Sequence, residues 1–306
     1  MKEKAPRNRT IELSPKDINA YAKKSIKLSK KISNIAEVEN QIIFQDAFKA
    51  LKMIPDSSID LIVTDPPYNL TKTFGSTIFK ETNLKEYKLW FSKWLKDCCR
   101  VLKDSGSIYI CSDWNTSIAI PEIATKYFTL QNRISWEREK GRGAKNNWKN
   151  CLEDIWFFTK SKDYTFNIED VKVERPVIAP YRDEKGSPKD WDENKKVRLT
   201  HPSNIWTDIS IPFWSMSENT DHPTQKPEKL IAKLILASSN ENEIIFDPFL
   251  GSGTTAVVAK KLNRKFIGIE REKEYIAVAL KRLEMSDSNK SIQGFENGVF
   301  KLRNGK

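Results

Sequence analysis

Ile59-Asp60-Leu61-Ile62-Val63-Thr64-Asp65-Pro66-Pro67-Tyr68 is the stretch that decides the fold. Its first six residues are mostly apolar and β-branched, the pattern of a strand buried on both faces of a parallel sheet. The run stops at a carboxylate, two residues without a backbone N–H, and an aromatic ring. Proline can neither donate to a sheet ladder nor sit inside a helix, so the chain leaves the sheet here. That places an acid, free carbonyl oxygen and a flat ring at the carboxyl edge of a sheet, where ligands of open α/β sheets bind. The set suits a flat ring bearing an amine. The ring would stack on Tyr68, and its NH2 would donate to Asp65 and to the carbonyl of Pro66. Taken alone, the tetrapeptide also reads as a plain strand end with a turn.

The whole chain narrows the choice. At 306 residues it is one large domain or a core carrying an inserted lobe. A net charge of +11 points to a polyanionic partner, or to solubility alone. Four cysteines without CxxC spacing and two histidines disfavour a zinc site and a disulfide framework. No apolar run reaches spanning length and no signal peptide opens the chain, so a cytoplasmic protein with no membrane partner is expected.

Residues 1–40 are rich in Lys and Arg, with Lys23, Lys24, Lys27, Lys30 and Lys31 crowding one segment of helical potential. They read as a basic arm touching phosphates or as a solvated tail. Residues 41–167 form the first half of a core. Gln41–Gln45 is a strand ending at Asp46, and a helical turn over Ala47–Ile54 leads to the strand that delivers Asp65, making a right-handed βαβ unit. A mobile polar loop follows Tyr68. A long helix then shows an apolar face of Leu84, Tyr87, Leu89, Trp90, Phe91, Trp94, Leu95 and Cys98, read as core. Lys103–Gly106 reads as a turn, Ser107–Cys111 as a strand, Trp114–Tyr127 as a helix, and Leu130–Trp136 and Ile155–Phe158 as strands. Between the last two lies a glycine-broken basic segment, 137–150. Its Arg138, Lys140, Arg142, Lys145, Asn146 and Lys149 have the inventory for phosphates and base edges, or for a solvated loop. Residues 168–221 lack periodicity but carry many aromatics, with Arg182 and Arg198, and read as an inserted lobe.

Residues 222–285 turn regular again: a helix from Glu228 to Ser239, a strand ending at Asp247, the loop Pro248-Phe249-Leu250-Gly251-Ser252-Gly253-Thr254-Thr255, a helix over Ala256–Leu262, a strand ending at Glu270, and a helix to Leu283. Residues 286–306 are a weakly patterned tail. Strand, glycine loop, helix, strand and terminal acid make a nucleotide-binding half of a doubly wound sheet. The third glycine of the dinucleotide fingerprint is missing, and Asp247 would repel phosphates while welcoming a cation or an amine. Ribose, adenine, an amino group and a sulfonium fit together in S-adenosylmethionine.

With Asp65-Pro66-Pro67-Tyr68 early, Phe249-Leu250-Gly251-Ser252-Gly253 late and His222-Pro223-Thr224-Gln225-Lys226-Pro227 just ahead of the cofactor strand, the chain from Gln41 to Leu283 resembles the β group of DNA amino-methyltransferases. The resemblance implies a doubly wound, mostly parallel, Rossmann-like methyltransferase sheet with circularly permuted motif order, an antiparallel last strand, and a target-recognition lobe at 168–221. It implies that Asp46, Ala47 and Phe48 meet the cofactor adenine, that Glu270 holds the ribose hydroxyls, and that Asp247, Phe249, Gly251, Ser252, Gly253 and Thr254 line the cofactor beside Asp65. Thr224 and Lys226 would approach its methionine carboxylate. Asp65, Pro66 and Tyr68 would hold the target base, and aspartate in first place resembles the adenine-N6 enzymes. Duplex DNA as partner, base flipping, a homodimer and a companion restriction endonuclease are further expectations, with no metal. A cytosine-N4 enzyme, an RNA methyltransferase and a non-catalytic DNA-binding subunit are the alternatives.

Overall fold

The computed structural model describes residues 5–138, 146–176, 181–189, 191–192, 194 and 196–302. Lys140, Arg142 and Lys145 lie outside the described residues. The strands in chain order are β1 (Gln41–Phe44), β2 (Ile59–Thr64), β3 (Lys72–Phe74), β4 (Thr77–Phe79), β5 (Leu102–Asp113), β6 (Thr129–Glu137), β7 (Leu152–Thr159), β8 (Val173–Pro176), β9 (Trp191–Asp192), β10 (Val197–Thr200), β11 (Ile205–Trp206), β12 (Ile244–Asp247), β13 (Lys265–Glu270), β14 (Phe295–Glu296) and β15 (Val299–Lys301). The helices are α1 (Pro15–Ala22), α2 (Ala47–Ala50), α3 (Leu84–Val101), α4 (Trp114–Ser117), α5 (Ile120–Ala124), α6 (Glu228–Ser238), α7 (Thr254–Lys261) and α8 (Lys273–Ser288).

An eight-stranded sheet runs in the order β1-β13-β12-β2-β5-β7-β6-β11. Only β7 is antiparallel to its neighbours. Side chains alternate between the two faces. Leu61, Val63 and Ile245 therefore join one apolar core with α6, α7 and α8, while Ile62, Ile108 and Phe246 join a second core with α3 and α5. Each such fully buried aliphatic or aromatic side chain contributes roughly 1.5–3 kcal/mol. The four adjacent parallel strands β1, β13, β12 and β2 run directly to four acids at one edge: Asp46, Glu270, Asp247 and Asp65.

Several elements depart from the sequence reading for definable reasons. Lys103–Gly106 is taken into β5 as a bulge: Ile59 pairs with Leu102 but Leu61 with Ser107, so the extra residues loop out without ending the strand. The helix expected over 114–127 splits into α4 and α5, with Pro121 in the first turn of α5, where its missing N–H costs no bond. On α3 the buried face is Tyr87, Phe91, Trp94, Leu95, Cys98 and Val101, whereas Leu84 and Leu89 face solvent. The helix of the N-terminal segment precedes the lysine cluster, because Ser14 and Asp17 form a reciprocal cap around Pro15. It packs along α8, where Tyr21 and Lys24 reach Glu284. Ile26 then bridges Ile43 beside β1.

The region 168–221 is tied to the chain's end. Strands β8, β9 and β10 form a second sheet with β14 and β15, in which β15 runs parallel to β8 and buries Phe300. Its later part returns to the main sheet: β11 pairs with β6, and Trp206 and Ile209 join the core. No helix among the described residues is long and apolar enough to cross a membrane.

Candidate active site

A single cleft opens over the carboxyl ends of β1, β13, β12 and β2. It is walled by Asp46, Ala47, Phe48, Asp65, Pro66, Tyr68, Thr224, Lys226, Asp247, Phe249, Gly251, Ser252, Thr254 and Glu270. Of the residues assigned to the base and the cofactor, only Gly253 stands off this wall. Its φ of +83° caps α7, and a Cβ there would sit 2.5 Å from the Ala279 Cβ of α8. Gly253 thus permits helix packing. Gly251, at φ +54°, does line the cleft, and a Cβ would come within 2.9 Å of His222 Nε2.

The acids fix the loop as well as face the cavity. Glu270 Oε2 accepts from Gly251 N at 2.8 Å, and Oε1 accepts from Arg271 N and Glu272 N. Burial raises its pKa, against those bonds. Asp247 accepts from the Thr255 hydroxyl at 2.7 Å and from Phe249 N at 3.0 Å. Its burial outweighs both bonds and lifts the carboxyl to about 7. Asp46 caps α2 by accepting from Phe48 N.

The polar centre sits at Asp65. The Tyr68 hydroxyl donates to Asp65 Oδ1 at 2.6 Å, and Lys226 Nζ donates to Asp65 Oδ2 at 2.6 Å and to the Tyr68 hydroxyl at 3.2 Å. Glu153 Oε2 lies 3.3 Å from the same ammonium. Burial alone would push Lys226 down, but the carboxylates of Asp65 and Glu153 reverse this and hold it above the ordinary lysine value. Lys226 is therefore seated at the Asp-Pro-Pro-Tyr turn. Its backbone is tied to the start of α7, since its carbonyl accepts from the Thr254 hydroxyl. Tyr87 donates to the carbonyl of Pro67, while the carbonyl of Pro66 accepts from no described residue.

Several wall residues escaped the sequence reading. Trp90, read as core, packs against Phe48 and Phe79 at the cleft. His222 accepts from Thr224 N at Nδ1, which puts its proton on Nε2, and burial with Lys226 near by lowers its pKa to about 3. The polar loop after Tyr68 is a hairpin, β3–β4, carrying Lys72, Phe74 and Phe79 onto the cleft. Glu272 pins its turn by accepting from Ser76 N and from the hydroxyls of Ser76 and Thr77. Position in the histidine hexapeptide was a usable signal for His222; no local signal marked Trp90 or Glu272.

Of the residues assigned to DNA, Arg138 donates to Glu153 Oε1 at 2.6 Å, Arg182 donates to the carbonyl of Gly186, and Arg198 stacks over Tyr181. Asn146 and Lys149 are exposed.

The sequence pattern of the N6_N4_Mtase family, described as DNA methylase, matches residues 59–281. The type II methyltransferase M.HpaI of Haemophilus parainfluenzae is 38% identical over 252 residues, covering 81% of this chain and 75% of that protein. The DNA adenine methyltransferase YhdJ of Escherichia coli is 39% identical over 254 residues, covering 80% and 83%. The chain belongs to the DNA methylase family. In the solved structures it is similar to M1.HpyAVI in complex with S-adenosylmethionine, at 25% identity and a TM-score of 0.52, covering 79% of this chain and 98% of that one.

The chain is thus a DNA methyltransferase, and S-adenosylmethionine is its cofactor. The cleft fits that group on its own terms. Gly251 brings backbone without a side chain to the wall, and the buried carboxyls of Asp247 and Glu270 are the groups that would meet its cationic and hydroxyl groups.

Proposed function

We propose that this methyltransferase acts on the exocyclic N6 amine of adenine in duplex DNA, at a specific sequence, with the base turned out of the helix. The observation that carries it is the junction inside one cleft of Asp65, the free carbonyl of Pro66 and the Tyr68 ring with the Gly251 loop. The two acceptors match the two N–H of an adenine amine. S-adenosylmethionine supplies an electrophilic methyl group on sulfonium. Asp65 and the Pro66 carbonyl orient the amine and draw its lone pair out of conjugation, and Asp65 offsets the positive charge that develops on nitrogen. Tyr68 stacks on the base. The proton lost after transfer leaves through Asp65 or water.

Aspartate at position 65 and the similarity to the DNA adenine methyltransferase YhdJ support adenine over cytosine. We assign sequence readout to 137–150 and 168–221, with Arg138, Lys140, Arg142, Lys145, Asn146, Lys149, Arg182 and Arg198 as contacts. A homodimer, a companion restriction endonuclease and residence at the nucleoid extend the same reading. The test is nucleoside analysis and methylation mapping of DNA from cells expressing the chain. N6-methyladenine at one sequence is expected; N4-methylcytosine would overturn the assignment.

A further inference from the structure

Glu153 is a buried carboxylate that none of the motifs includes. It sits at the start of β7, and because β7 runs against β5 and β6, its start lies at the same edge as their ends and the Asp65 turn. Glu153 pairs across the sheet with Asp113 and Trp136. Its two oxygens face different cations. Oε1 accepts from Arg138 Nη1 at 2.6 Å, and Oε2 stands 3.3 Å from Lys226 Nζ and 3.5 Å from the Tyr68 hydroxyl. Arg138, Glu153, Lys226 and Asp65 therefore form a row of alternating charges, ending on the carboxylate that receives the target amine.

We propose that Glu153 is a positioning residue for methyl transfer, holding the Lys226 ammonium on Asp65 and balancing its charge. The inference rests on the reading of Asp65 given above. An ammonium 2.6 Å from Asp65 fixes the plane of that carboxylate, but alone it would also oppose positive charge growing on the amine. The second carboxylate removes that opposition. In a buried site the balance is worth far more than at a surface, where solvent screens it. A row of four groups, each with an opposite partner, also avoids leaving any of them buried and unpaired.

The experiment is single-turnover transfer from radiolabelled S-adenosylmethionine to duplex DNA carrying the mapped site, with dissociation constants for both ligands and thermal melting. Wild type is compared with Glu153→Gln, which keeps the volume, Glu153→Asp, which keeps the charge, and Asp65→Asn. The transfer rate constant of Glu153→Gln should fall about tenfold to a hundredfold. Both dissociation constants should stay within about threefold of wild type. Glu153→Asp should recover part of the loss. A wild-type rate in Glu153→Gln, or a loss confined to the dissociation constants, would overturn the proposal. If Glu153→Gln does not melt cooperatively, Glu153→Asp decides: a slowed rate with unchanged binding supports the role, and a wild-type rate refutes it. A wild-type rate in Asp65→Asn would instead overturn the reading of Asp65 itself.

Discussion

Lys226 and Asp65, 161 positions apart in the chain, meet through an ammonium–carboxylate bond of 2.6 Å. The contact joins the His222–Pro227 segment to the Asp-Pro-Pro-Tyr turn and seats the lysine on the carboxylate proposed to receive the target amine. Lys226→Met should therefore lower the single-turnover rate about a hundredfold while cofactor affinity stays within about threefold. A variant that loses cofactor affinity but transfers normally once saturated would return Lys226 to the methionine carboxylate.

Asp247 should make cofactor binding pH-dependent. Its carboxyl titrates near 7, above its ordinary 3.8, because burial disfavours the charged form. Since the folded value is raised, its contribution to stability is complete below about pH 4 and is lost as pH rises through about 7. Cationic groups of the cofactor favour the ionised form, so binding releases a proton and strengthens with pH across that window. Titration calorimetry in buffers of different ionisation enthalpy measures the release. Asp247→Asn should abolish most of it and should melt higher than wild type at pH 8 without cofactor. An affinity independent of pH between about 5 and 8 would contradict this.

The two loop glycines should fail differently. A side chain at either position meets about 1–2 kcal/mol of left-handed strain. Gly253→Ala adds a collision with Ala279, so its main effect should be a lowered melting temperature. Gly251→Ala meets the His222 ring at the cleft wall and should weaken cofactor binding by more than its loss of stability explains. Equal effects on melting and binding in both variants would merge the two roles.

Tyr68 offers both a ring and a hydroxyl. Base stacking on an aromatic ring contributes roughly 1–3 kcal/mol, and Tyr68→Ala should lose it. Tyr68→Phe keeps the ring and breaks the bonds to Asp65 and Lys226, so the milder loss is expected there. Equal losses in transfer rate would give the hydroxyl the larger part.

How much of this was legible in the sequence depended on whether the determinant was local. The strand ends at Asp46, Asp65, Asp247 and Glu270 announce themselves by short apolar runs stopping at an acid. Each is a continuous apolar run, as expected for strands of a parallel sheet covered on both faces. Glu153 could not be read that way, since its place follows from β7 running antiparallel, a property of topology. Trp90 lies at helical spacing among true core residues, and its packing against Phe48, Phe79 and Phe249, which are distant in sequence, brings it to the cleft. The region 168–221 was illegible as strands because its strands are two to four residues long, and the partner that ties β8 down, β15, lies at the chain's end. Lys103–Gly106 has turn composition, and it does turn, as a bulge inside β5.

The most direct test of Asp65 as the group that receives the amine is the single-turnover rate of Asp65→Ala at saturating cofactor and DNA, with cofactor binding measured on the same preparation. The expected result is cofactor affinity within about threefold of wild type and a transfer rate reduced by about a thousandfold. Wild-type transfer by a variant that still binds cofactor would contradict it.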